Sequence, residues 1–125
     1  MLKKVLLFLV ISASVIGWLN QSHRLSVGST IIDVEIADTE TKRAEGLSNR
    51  TSIADQSGML FIFPQPGRYS FWMKDMNFSL DFIWIRSGLV VQLSRNIHPI
   101  QPPVTLAPDQ PVDQVLEVPA GFINK

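Results

Sequence analysis

The stretch LDFIWIRSGLVVQL, residues Leu80–Leu93, decides the fold class. Its first half alternates, placing Leu80, Phe82 and Trp84 on one face and Asp81, Ile83 and Ile85 on the other, which is the two-residue period of an extended strand. Arg86-Ser87-Gly88 then supplies a turn, and Leu89 to Leu93 returns as a second apolar run, so the segment reads as a β-hairpin. The same grammar recurs outward from it. Gln114 to Val118 has strand character, and Gly58-Met59-Leu60-Phe61-Ile62-Phe63 is apolar on both faces, as suits a central strand. Pro64-Gln65-Pro66-Gly67 is expected to end that strand in a type II turn, with Arg68 to Met73 returning beside it as a second hairpin and Tyr69, Phe71 and Met73 sharing a face.

Further upstream, Thr30 to Ala37 sets Ile32, Val34 and Ile36 against Asp33 and Glu35, a half-buried strand. Asp38 or Thr39 can cap a short helix through Glu40, Lys42, Arg43 and Ala44, which Gly46 closes in a left-handed cap. Asn96 to Pro111 carries Pro99, Pro102, Pro103, Pro108 and Pro111 and is expected to be a long surface loop. Short strands, Gly and Pro turns and one short helix point to an all-β fold, a compact β-sandwich or partly open barrel behind an N-terminal hydrophobic helix.

That N-terminal segment reads as an export leader. Lys3 and Lys4 precede an uncharged run from Val5 to Leu19, the order that export machinery recognises. A helix of this span would cover about 22 Å of a hydrocarbon core near 30 Å. Ser12-Ala13-Ser14 has the small residues of a cleavage site, while Trp18 suits an interfacial anchor, so residues 1–19 are either a signal peptide or a membrane anchor, with the positive end inside. Residues 20–26 read as a polar linker and residues 27–125 as the β-rich domain. The expected location is the cell envelope, outside the cytoplasmic membrane, with a membrane contact through residues 1–19 if they are not cleaved.

The chain has 11 basic and 11 acidic residues and no cysteine. Nothing in that balance attracts nucleic acid, and disulfides, thiol chemistry and cysteine metal sites are excluded. The two imidazoles, His23 and His98, stand far apart and outside any metal-binding spacing, and the serines lack a nucleophile elbow. No cofactor, metal or catalytic residue is assigned on this basis. Asn49-Arg50-Thr51 and Asn77-Phe78-Ser79 fit the glycosylation triplet, which is common by chance.

What stands out is a set of charges in apolar company. Asp81 shares a strand face with Ile83 and Ile85, and Glu117 follows Val115 and Leu116; a carboxylate so placed must be paired or protonated. Arg43 and Arg50 flank the helix end and can clamp a carboxylate, and Lys74 adds a positive charge beside Trp72. One reading ties Asp81 and Glu117 to these arginines or to backbone N–H groups. The other is a shallow pocket whose ligand-binding residues are Arg43, Arg50, Trp72, Lys74, Asp81 and Glu117, rimmed by Phe71 and Met73. Phe61, Phe63, Phe71, Phe82 and Trp84 are expected in the core.

At these residues the chain resembles a known family. Val34-Glu35-Ile36-Ala37-Asp38-Thr39, then Arg43 with Gly46-Leu47 and Arg50, Gly58-Met59-Leu60-Phe61, Phe71-Trp72-Met73-Lys74, Leu80-Asp81 and Val115-Leu116-Glu117 with Ala120-Gly121 follow in the order of the uncharacterised bacterial and archaeal family known as domain of unknown function 192. The resemblance spans roughly residues 26 to 122. It implies a compact β-rich domain, often behind a signal or anchor segment, and no established activity. Members commonly carry Asn-Thr where this chain has Asp75-Met76, and usually run past the Ala-Gly step into a further strand, which would leave an open edge after Val118 here.

Three functions are expected in competition. The first is an extracytoplasmic binding module for a small anionic or sugar-like ligand. The second is an envelope hydrolase or lyase using Asp81 and Glu117 as an acid/base pair. The third is a protein–protein interaction domain working through the open edge and the proline-rich loop.

Overall fold

The computed structural model describes residues 3–8 and 23–124. Among them the strands are β1 (Val5–Phe8), β2 (His23–Val27), β3 (Thr30–Ala37), β4 (Ser57–Gly67), β5 (Phe71–Trp72), β6 (Leu80–Arg86), β7 (Leu89–Ile97), β8 (Thr105–Leu106) and β9 (Val112–Pro119). Helix α1 (Glu40–Glu45) and a closing 3-10 turn, Phe122–Asn124, complete the fold. It is the strand-dominated fold expected, a curled half-barrel.

The hairpin that opened the sequence reading forms as β6 and β7, turning through Ser87 and Gly88 at φ 50 and 75. Both positive angles suit the two-residue turn that matches strand twist. β3 covers the residues expected of it, and Thr39 caps α1 by accepting a hydrogen bond from the Lys42 N–H. The main sheet runs in the order β1-β2-β3-β4-β9-β6-β7. Only β3 and β4 pair in parallel, because α1 carries the chain across between them.

β4 is central, as expected, but the hairpin expected after it does not form. Gly67 stays within β4 and pairs with Val112, and β5 pairs with β8 in a separate two-stranded sheet. The reason is occupancy: β3 and β9 take both edges of β4, so the returning segment must cross the face instead. There it pairs with the proline-rich loop, where the Met73 N–H donates to the Val104 carbonyl at 3.1 Å.

Three further expectations are corrected. Residues His23–Val27 are a strand, not a linker, because Leu25 and Val27 turn inward between polar neighbours. Val5–Phe8 is also a strand, where the sequence suggested the start of a helix. Val5 packs into the core, its N–H donates to the Gly88 carbonyl at 2.7 Å, and Lys4 bridges to Leu89, so β1 joins the two ends of the curl. The rest of the expected leader, including Ser12–Ser14 and Trp18, lies outside the described residues; among those described, no helix is long and apolar enough to cross a membrane. Finally, β9 is not an open edge. It lies between β4 and β6 and is paired on both sides.

The sheet is apolar on both faces. Val5, Leu25, Ile32, Leu60, Ile85 and Leu116 fill the inside of the curl. Leu47, Phe61, Met73, Phe82, Trp84 and Val115 lie on the other face. That second face is covered by α1, the chain following it, and the β5–β8 pair. β4 and β9 meet closely at Gly58, where a side-chain Cβ would collide with the Glu117 carbonyl oxygen. Gly58→Ala should therefore force the central strands apart and lower stability by about 1–3 kcal/mol in urea unfolding. Wild-type stability in that variant would show that the two strands can separate without loss.

Candidate functional site

Alternation along β9 sorts its side chains. Leu116 and Val118 enter the inside of the curl, while Val115 and Glu117 face the α1 side. On the neighbouring β6, Asp81 shares its face with Ile83 and Ile85, inside the curl. The two buried carboxyl groups thus lie on opposite faces of one sheet.

Their surroundings differ as much as their positions. Asp81 is fully enclosed and satisfied. It accepts backbone hydrogen bonds from Asn96 at 2.8 Å, Gly121 at 3.0 Å and Ile123 at 3.2 Å, and so ties β7 and the closing turn to the end of β6. This is the backbone-tied role foreseen as one alternative. Glu117 is only 5% exposed, and burial alone raises its pKa from 4.5 to about 8. With no neighbouring charge to offset desolvation, the carboxyl is protonated at neutral pH and can donate a hydrogen bond.

Glu117 opens onto a cleft of about 330 Å³ on the α1 face. One wall is the end of α1 with Gly46 and Leu47, the other is the Tyr69–Trp72 segment, and Phe61 and Phe63 lie between them. Gly46, at φ 52, makes the turn that sends Leu47 inward, and a Cβ there would press on the Phe61 ring at 3.3 Å. The aromatic wall is self-braced. Tyr69 stacks on Phe63 with centroids 3.7 Å apart, and Phe71 meets Phe61 edge-on at 5.0 Å.

Of the six residues proposed from sequence, Arg43, Trp72 and Glu117 line this cleft together. Arg43 lies at its rim, held by donating to the Ile62 carbonyl at 2.9 Å and by stacking over Phe63 at 5.3 Å. Trp72 is 56% exposed, and the Lys74 ammonium sits 5.0 Å from its ring centre, just outside the cleft. Arg50 does not join them. It grips Glu35 with both terminal nitrogens, Nη2 to Oε1 at 3.3 Å, while its carbonyl accepts from Asn77 at 2.8 Å. Asp81 is on the far face, so no Asp81–Glu117 acid/base pair is assembled. Phe71, expected at the rim, does line the cleft; Phe61 and Phe63 were expected only as core and line it too, and Tyr69 was not singled out for the site at all. No cluster of His, Asp and Glu suited to a metal occurs among the described residues.

Residues 23–125 match the family described as DUF192, Uncharacterized ACR. The chain belongs to this family. Two solved structures resemble this DUF192 domain. A protein of Sinorhizobium meliloti 1021, provisionally designated a transcription regulator, is 26% identical with a TM-score of 0.72, over 99% of this chain and 84% of the other. A protein of unknown function from Novosphingobium aromaticivorans DSM 12444 is 25% identical with a TM-score of 0.75, over 91% of this chain and 86% of that one. No curated protein matches the chain.

The raised pKa of Glu117 has a measurable sign. Between pH 4.5 and about 8 the folded domain holds a proton that the unfolded chain has released, so stability falls as pH rises through this window and levels off above it. Urea unfolding from pH 5 to 8 should show wild type losing stability relative to Glu117→Gln by about 1 kcal/mol per pH unit. Parallel profiles would mean that the carboxyl ionises freely in the fold.

Proposed function

We propose that this DUF192 domain is a binding module for a small sugar-like or anionic ligand. The ligand's flat or apolar body lies against the aromatic walls, and its oxygen acceptor, a hydroxyl or carboxylate, meets the protonated Glu117 at the cleft floor. The observation that carries this reading is a buried acid, uncharged at neutral pH, opening onto an aromatic cleft. Arg43 supplies a fixed positive charge at the rim, which favours the anionic members of the ligand class.

A hydrolase or lyase built on Asp81 and Glu117 is not favoured, because Asp81 has its oxygens committed to backbone donors on the other side of the sheet. Transcription regulation, the designation of the S. meliloti protein, is not favoured either. Equal numbers of acidic and basic residues, 11 of each, lack the basic excess that a phosphate backbone requires.

The ligand test is a calorimetric titration of glucose, N-acetylglucosamine and galacturonate. Galacturonate should bind best at pH 6. Its affinity should fall about tenfold in Glu117→Ala, be largely kept in Glu117→Gln, which retains a donor, and decline above pH 8. A ligand that binds more tightly above pH 8 would reverse the charge assignment and point to a cation, and identical affinity in all three proteins would remove the cleft from the function.

A further inference from the structure

On the opposite face of the sheet the curl does not fill its own interior. At one mouth of the half-barrel a cavity of about 270 Å³ opens between the β2–β3 end, β7 and the closing turn. Its walls include Val27, Ile83, Val90 and Phe122, all members of the inner core or packed against it, with Thr30 beside them. Lys3 is the one charged residue in its lining. Lys3 is held there by its backbone, whose carbonyl accepts from the Val90 N–H at 3.1 Å, and its stem runs along the turn at Gly28. Among the described residues its ammonium makes no ion pair.

We infer that this mouth is a second binding site, which takes the hydrocarbon chain of a single-chain carboxylate amphiphile with its head against Lys3. Size, polarity and charge each limit the occupant. The volume admits roughly nine water-sized groups, the length of a medium acyl chain and too little for a two-chain lipid. The walls are mainly apolar, with Thr30 and Gln92 as the uncharged polar members, which disfavours sugars and free ions because too few partners are present to replace their hydration. A lone ammonium at an apolar mouth selects an anionic head over a cationic one. Barrel mouths are also where such ligands are commonly housed. This site is independent of the aromatic cleft, which lies across the sheet.

The test is a titration of decanoate, below its micellar range, into the full chain by calorimetry, with the nonionic decyl glucoside in parallel. Saturable decanoate binding is expected. Val90→Trp, which fills the cavity, should abolish it, and Lys3→Glu should weaken decanoate roughly fivefold while leaving decyl glucoside unchanged. Glu117→Gln should have no effect, so loss of this site and loss of the cleft are told apart. Absence of saturable binding overturns the inference. So does equal decanoate binding in wild type and Lys3→Glu, a variant exposed enough to fold even if Val90→Trp does not, since uptake would then occur elsewhere on the chain.

Discussion

The fold depends on one strand being buried on both faces and paired on both edges. β9 sits between β4 and β6 and from Gln114 to Glu117 is paired on both sides, so along that run the backbone is committed to its neighbours and side chains enter one layer or the other in alternation. Gly58 permits the close approach that keeps β4 in register with it. From this arrangement follow both layers: an inner one filled by the curl itself, and an outer one that needs α1, the following loop and the β5–β8 pair as a cover.

Each layer contains one carboxyl group, and the contrast between them separates framework from site. Asp81 accepts from three backbone donors and through them holds two chain segments in place. Glu117 has no such compensation and sheds its charge by keeping a proton. A satisfied buried acid is structural glue. An unsatisfied one beside open space is a hydrogen-bond donor awaiting an acceptor, and the aromatic rings around it define what shape the acceptor may have.

Much of this was legible in the sequence where the period was local. β3, β6, β7 and α1 with its Thr39 cap follow from alternation and capping chemistry that a few neighbouring residues specify. What was not legible depended on pairing partners far along the chain. The turn at Pro66-Gly67 was outcompeted once β3 and β9 filled both edges of β4, and β2 was hidden by the polar residues flanking Leu25. The candidate site was half visible. Arg43, Trp72 and Glu117 converge, but that Asp81 and Glu117 face apart depends on the register of β6 against β9, which pairs Asp81 with Val118 and Phe82 with Glu117. Arg50 was drawn off by Glu35, a neighbour whose odd position in β3 had marked it only as solvent-facing.

The closing of the curl at Lys4 and Leu89 sets an order of events during synthesis. Val5–Phe8 emerges from the ribosome first, yet its second partner belongs to a strand made much later, several seconds on at roughly 5–20 residues per second. During that interval the segment has only β2 to pair with, and a lone two-stranded ribbon is marginal in water. The same few residues therefore wait, half partnered, until β7 has been made, and the curl closes only when nearly the whole chain is available.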